Sequence, residues 1–207
     1  MGAGSRDVRA VRAVRDADVP GARELLHAAF RTDPVSRWIF PGEEHCETWH
    51  PLLFSAFLEG ARRYGTAEMT ADGTAVALWF DTRNEPPGLE ETGELLGGVD
   101  PANPRVHGIG ETTGGIHPHE PHAYLQALAV RPGLQSRGIG GALLRLTLDR
   151  CDKEELPAYL EASSARSRAF YERHGFALRG APLRLPDGGP PMWPMWREPG
   201  AGGATGV

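Results

Sequence analysis

The stretch Leu128-Ala129-Val130-Arg131-Pro132-Gly133-Leu134-Gln135-Ser136-Arg137-Gly138-Ile139-Gly140-Gly141 decides how this chain is read. An apolar strand ends, a short loop follows, and a helix opens on glycines. Ala123 to Val130 is apolar enough for a buried strand. Ile139, Ala142, Leu143 and Leu146 recur at i, i+3, i+4 and i+7, which predicts a helix from Gly138 to Glu155, closed by Pro157. The first amides of such a helix lack intrahelical acceptors and sit at the positive end of its dipole. Glycines let a ligand approach that backbone closely, so the turn suits a phosphate without needing a basic patch.

Three anion-binding readings compete for this turn. A P-loop requires Gly-x-x-x-x-Gly-Lys-Ser/Thr, and the lysine is missing. A dinucleotide fingerprint requires Gly-x-Gly-x-x-Gly directly after the strand, with an acid further on. Glu161 could serve as that acid, but Gly138 lies too far from Val130 and the third glycine is misplaced. The third reading is a pyrophosphate clamp of the form Gln/Arg-x-x-Gly-x-Gly/Ala behind Val-x-Pro. Gln135, Gly138 and Gly140 behind Val130-Arg131-Pro132 fit it.

Towards the C-terminus, Ala158 to Ala162 reads as a short strand and Ser163 or Ser164 caps a helix that Gly175 closes. Phe176 to Leu185 and Met192 to Arg197 flank Pro186-Asp187-Gly188-Gly189 as a closing hairpin. Towards the N-terminus, Asp7 to Val14 is a strand, and Asp16 caps a helix carrying Ala22, Leu25, Leu26, Ala29 and Phe30 on one face. Asp33-Pro34 ends that helix, a second spans Trp49 to Tyr64, and Asp72-Gly73 turns a hairpin between strands at 66–70 and 74–80. One short helix near Leu89 to Leu96 is expected in the Gly- and Pro-rich stretch 81–121. The order predicts an α/β fold: a mixed, mostly antiparallel sheet of about seven strands with about four helices. Residues 7–197 form one expected domain, and 1–6 and 198–207 are expected as flexible tails.

The chain has 207 residues, 40% of them hydrophobic and 24% charged, which suits one domain with its own core. The net charge of −5 comes without a basic stripe, so no nucleic acid is expected as a partner. No run approaches the length of a membrane span, and the charged first fifteen residues lack the apolar core of a secretory leader. Cys46 and Cys151 stand far apart, which fits reduced thiols and a cytoplasmic location.

A second motif joins the clamp. Ser167-Arg168-Ala169-Phe170-Tyr171-Glu172-Arg173-His174-Gly175-Phe176, preceded by Tyr159-Leu160-Glu161-Ala162-Ser163, resembles the Tyr-x-x-x-Gly-Phe ending of the Gcn5-related N-acetyltransferase (GNAT) superfamily. Within it the chain most resembles the puromycin N-acetyltransferase-like enzymes, from about Asp7 to Gly180. Arg15-Asp16-Ala17-Asp18-Val19-Pro20, Ala28-Ala29-Phe30, Asp33-Pro34, Ala75-Val76-Ala77-Leu78-Trp79 and His117-Pro118-His119-Glu120-Pro121-His122-Ala123-Tyr124-Leu125 carry that likeness. Relatives often have Asn where Ser167 stands and an aromatic where Ala123 stands.

The resemblance implies a GNAT fold and acetyl-CoA as cosubstrate. It implies that the backbone of Leu128, Ala129 and Val130 holds the pantetheine and thioester carbonyl. Gln135, Ser136, Arg137, Gly138, Ile139, Gly140 and Gly141 would hold the pyrophosphate, with Ser167 also on the cofactor. Tyr171 is implied as the acid that protonates the leaving sulfur. The base is open between Glu161 and a water relay near Tyr124. In some relatives catalytic histidines stand at the positions of Tyr124 and Gln126. On a regular strand Tyr124, Gln126 and Leu128 share one face. Phe30, Asp33, Trp38, Trp79 and Gln126 are candidates for the acceptor side, with Trp49 a weaker one. Asp33 would pair with a cation or cap a turn.

His117, His119 and His122 suggest a metal cluster at first sight, but they lie in a loop matched by the relatives and lack a defined ligand pattern, so no metal is expected. His174 reads as a cation at a helix C-terminus. The expected reaction is acetylation of a primary amine of a small molecule, an antibiotic or other natural product, by a monomer or homodimer. The alternatives are acetylation of a protein or peptide, and a CoA-binding sensor without catalysis.

Overall fold

The computed structural model describes residues 10–83 and 95–201. Eight strands form its sheet: β1 (Val11–Ala13), β2 (Thr66–Thr70), β3 (Ala75–Asp81), β4 (Ala123–Val130), β5 (Ala158–Ala162), β6 (Ala177–Leu178), β7 (Leu183–Arg184) and β8 (Pro191–Arg197). Their order is β1-β2-β3-β4-β5-β8-β6, with β7 also on β8. All neighbours are antiparallel except β4 and β5. The helices are α1 (Val19–Phe30), α2 (Pro34–Ile39), α3 (Glu43–Tyr64), α4 (Pro104–Gly114), α5 (Ile139–Lys153) and α6 (Ala165–Glu172), with a 3-10 turn at Asp16–Asp18. No helix among the described residues is long and apolar enough to cross a membrane.

The two faces of β3 explain the layering. Ala75 to Phe80 are all buried, so both faces need a cover. Ala75, Ala77 and Trp79 face α5 and α6, beside Leu143, Leu144, Leu148 and Tyr171. Val76, Leu78 and Phe80 face α1 and α3, beside Leu25, Leu26, Phe54 and Leu58. A third cluster joins α2, the start of α3, α4 and the β7–β8 turn around Trp38, Ile39, Phe40 and Leu185.

Several elements depart from the sequence reading, each for a local reason. Of the strand expected over 7–14, β1 covers Val11–Ala13, with Ala10 and Val14 adding backbone bonds to Ala71 and Ala67, and residues 7–9 lie outside the described residues. Asp16 opens the 3-10 turn rather than capping α1; Asp18 holds the N-cap position of α1 without a side-chain cap bond, its carboxylate instead accepting from the Arg15 amide and from Arg12 across the 3-10 turn. Asp33-Pro34 begins a helix as well as following one, because the Asp33 carboxylate accepts from the Val35 amide at 2.9 Å and proline suits the first helical position. The helix expected from Trp49 starts at Glu43 and carries Pro51 in its interior. A proline ordinarily marks a first turn, so this start is masked in the sequence. Most of the helix expected at 89–96 lies outside the described residues, whereas α4 was not anticipated despite its Asn103 cap and Pro104 start. The strand expected over 176–185 breaks into β6 and β7 around Gly180, which has φ +83°.

Two features of β4 set the geometry at the centre of the sheet. Its register with β3 runs Leu78↔Ala127 and then Trp79↔Leu125, passing over Gln126. Gln126 is therefore a bulge residue, and the alternation of faces inverts across it. Tyr124 packs on the α1–α3 side, while Leu128 packs on the α5 side. This corrects the expectation that Tyr124, Gln126 and Leu128 share a face. The second feature is that β4 pairs with β5 only at Ala123↔Ala158 and Tyr124↔Tyr159. Beyond that point the strands part, and Leu125 to Val130 keep a strand partner on the β3 side alone.

Candidate active site

The loop between β4 and α5 turns on Gly133, Ser136 and Gly138, at φ +82°, +61° and +80°. Gly138 is the N-cap of α5 and sits in the left-handed region that glycine tolerates best. The first backbone bond into the helix is Ala142 N–H to the Gly138 carbonyl at 2.9 Å. The amides of Ile139, Gly140 and Gly141 are thereby left without intrahelical acceptors. Arg166 reaches across from α6 to Ser136 Oγ at 3.3 Å, so with exposed Arg137 the loop has a local positive field in an acidic chain.

Packing also constrains Gly140 and Gly141. A Cβ on Gly140 would lie 3.1 Å from Val130 Cγ2, and one on Gly141 would lie 2.9 Å from His174 Nε2. His174 is itself corrected. Its Nδ1 is 2.8 Å from the Phe170 carbonyl and its ring lies tilted against Phe170 with centroids 4.5 Å apart. Burial lowers its basicity, so it acts as a neutral packing group rather than a helix-end cation.

Glu161 stands where β4 and β5 begin to part. Its Oε2 accepts from the Tyr124 hydroxyl at 3.0 Å. Its Oε1 is buried and has no partner, and the same holds for the Tyr159 hydroxyl and Gln126 Oε1. The Tyr159 hydroxyl is near enough to favour the charged carboxylate, although the pair falls short of full hydrogen-bond geometry. Burial pushes the Glu161 carboxyl up to about 7, against the opposing pull of the tyrosine hydroxyls. Tyr124 and Tyr159 are themselves pushed up, first by burial and then by Glu161, so both stay protonated. Tyr159 escaped the sequence reading, although a period of two from Glu161 puts it on the same face.

Tyr171 is buried on α6 against Phe170 and Phe176. Burial and the nearby Asp33 charge hold its phenol protonated. Asp33 ties the α1–α2 junction to the end of β5, because Ser163 Oγ donates to its Oδ2 at 2.6 Å. Asp33 therefore holds a helix cap and a serine, with burial raising its carboxyl. Ser167 is engaged locally. It exchanges hydrogen bonds with Ser164 in a capping box that starts α6.

The remaining candidates scatter. Phe30 stacks on Phe54 with centroids 5.0 Å apart, on the α1–α3 side. Trp79 lies on the opposite face, in the α5 core, with its indole N–H unpartnered. Trp38 packs in the third cluster, beneath Gly189 and with Arg105 5.2 Å over its ring. Trp49 borders that same cluster. His117 and His122 meet at 3.1 Å through their Nε2 atoms, whereas His119 is exposed. Among the described residues no group of three or more His, Cys, Asp or Glu is arranged to hold a metal ion. Cys46 and Cys151 are free and buried.

The geometry thus joins a helix start with free amides, a parted strand pair and a buried carboxylate. The model of the Acetyltransferase (GNAT) family matches residues 43–176. The curated mycothiol acetyltransferase of Streptomyces avermitilis is 29% identical over 153 residues, covering 71% of this chain and 44% of that protein, so the chain spans less than half of its length. A crystal structure from Corynebacterium glutamicum, reported as histone acetyltransferase HPA2 and related acetyltransferase, is 26% identical, with a TM-score of 0.70 over 91% of this chain and 95% of that one. Arylalkylamine N-acetyltransferase 2 from Aedes aegypti is 15% identical with a TM-score of 0.65, over 91% and 98%, and shares the fold.

Proposed function

The chain belongs to the acetyltransferase (GNAT) family of acetyl-CoA-dependent acyltransferases, and from that premise we propose that it acetylates a primary amine of a small molecule by direct attack in a ternary complex. An antibiotic or other natural product is the acceptor class favoured by the likeness to puromycin N-acetyltransferase-like enzymes. The match to a mycothiol acetyltransferase also supports a small acceptor.

One observation carries this reading: the buried Glu161 carboxylate has one oxygen held by Tyr124 and the other unpartnered. An alkyl ammonium has a pKa near ~10 and cannot attack until a proton is removed. A carboxylate raised to about 7 suits that transfer at neutral pH. Glu161 takes the proton directly or through an ordered water. Among the described residues no cation holds its free oxygen, which leaves that oxygen for an N–H donor.

Acetyl-CoA supplies the activated acyl carbon. The residues present fit it, since the amides of 139–141 and the Arg137 and Arg166 side chains favour a pyrophosphate, and the unpaired edge of β4 suits an extended amide-bearing arm. The β4 amides beyond Tyr124 orient the acyl oxygen, and one such donor contributes about 3 kcal/mol to a transition state. Tyr171, held protonated, gives its proton to the leaving sulfur.

A thiol-release screen with acetyl-CoA across aminonucleosides, aminoglycosides, polyamines, amino acids and peptides tests the proposal. Release with small amines supports it. Release with peptides alone would favour a protein acceptor, the reading suggested by the Corynebacterium structure. Tight CoA binding with no release from any amine would favour a sensor.

A further inference from the structure

Behind the Glu161 carboxylate lie two histidines that the reaction so far leaves unused. His122 is fully buried, and its Nδ1 lies 2.7 Å from the Glu120 carbonyl. A carbonyl oxygen only accepts, so Nδ1 carries the proton. A neutral imidazole has a single N–H, which makes His122 Nε2 a lone pair. That lone pair faces His117 Nε2 at 3.1 Å, so His117 donates there. One backbone carbonyl thus fixes both tautomers. The His117 ring, so oriented, stands at 86° to Tyr124 with centroids 4.8 Å apart, and at 83° to Tyr159 with centroids 5.3 Å apart. Those two tyrosine rings stack on each other with centroids 6.1 Å apart, and His117 meets the edge of the pair. Tyr124 in turn donates to Glu161.

We propose that His117 is a positioning residue for Glu161: locked by His122 and wedged against Tyr124 and Tyr159, it holds the Tyr124 hydroxyl on the carboxylate and so sets how readily that carboxylate accepts a proton. This rests on the reading of Glu161 as the base. The surroundings keep the pair neutral. Asp81 of β3, His119 and Glu120 of the preceding loop, Tyr124 of β4, Tyr159 of β5 and Arg179 after β6 are the titratable and charged groups around it. Arg179 pairs with Glu120 at 2.8 Å and lies 4.6 Å over Trp196, closing the outer side. Burial lowers both histidines, His117 to about 4. A proton added to His122 Nε2 would set two N–H groups against each other and break the wedge.

The test is a side-chain carboxyl carbon NMR titration of the full chain, with the Glu161 signal assigned by its loss in Glu161→Gln. The parent midpoint is expected near pH 7. In His117→Ala the Tyr124 hydrogen bond to the charged form loosens, and the midpoint should rise by about half to one pH unit. His117→Gln, whose amide can still donate to His122, should return it towards the parent value. His122→Phe fills the same space without the acceptor and should shift the midpoint as His117→Ala does, which keeps the test alive if the alanine variant does not fold. A parent midpoint in His117→Ala or His122→Phe, even with a lowered melting temperature, overturns the proposal, since a merely structural role moves only stability. The titration needs no acceptor. Full thiol release by Glu161→Gln would instead remove the base assignment, whatever the titration reads.

Discussion

Replacing Glu161 by Gln should stabilise this protein at alkaline pH while disabling it. Burial raises the carboxyl from its ordinary 4.5 to about 7. At about 1.4 kcal/mol per unit, ionised Glu161 costs the folded state about 3 kcal/mol. Because the folded pKa lies above the unfolded one, the stability of the protonated form is complete below pH 4.5 and is lost as pH climbs through 7. Gln keeps the shape, still accepts from Tyr124 through its amide oxygen, and never ionises. Relative to the parent, the variant should therefore gain about 2–3 kcal/mol between pH 5 and pH 8.5, or about 5–10 °C in melting temperature for a chain of this size. Any fixed cost of burying the amide shifts both pH values equally. The titration of His50 and His117 in acid occurs in both proteins and cancels in the difference. Thermal and urea melts of the ligand-free proteins at the two pH values measure it. A difference that does not change with pH would refute the reasoning, because it would mean that Glu161 does not titrate against burial. The same variant should lose about 100-fold or more in thiol release.

Other expectations are as direct. Tyr171→Phe should lower kcat about 100-fold while calorimetric CoA affinity stays at the parent value, since the phenol has no part in holding the diphosphate. Gly138→Ala places a Cβ at φ +80° and should cost about 1–2 kcal/mol in urea denaturation. Gly141→Ala drives a Cβ to 2.9 Å from His174 Nε2 and should cost about 1–3 kcal/mol, relieved in the double variant with His174→Ala. Arg197→Met removes a guanidinium that is 2% exposed and bonded through both terminal nitrogens to Asp152 at 2.6 and 2.8 Å. It should cost about 1.5–3 kcal/mol by circular dichroism melts, because part-exposed Asp152 keeps only the Gly200 amide as a partner.

Much of the scaffold was legible because its signals are local. The 3.6-residue period of Ile139, Leu143 and Leu146, the strand before it, the Asp72-Gly73 turn and the Ser164 cap of α6 each depend on neighbours a few residues away. The short α2 and the long α4 were missed for opposite reasons. Asp33-Pro34 reads as a stop although it also starts a helix, and Gly108, Gly110 and Gly114 mask α4, whose tertiary contacts through Val106 and Ile109 outweigh poor propensity.

The sequence alone determined that a glycine-opened helix follows an apolar strand, and that Glu161 and Tyr171 lie on successive elements after it, because backbone geometry and hydrophobic period are written residue by residue. Only the tertiary structure decided which way those groups face. The bulge at Gln126 inverts β4 midway, which turns Tyr124 towards Glu161's side of the sheet and Leu128 towards α5. The acidity of Glu161 and the packing need for Gly140 and Gly141 arise from groups distant in sequence that exclude water together. Burial is a property of the assembled fold, and no short stretch of sequence carries it.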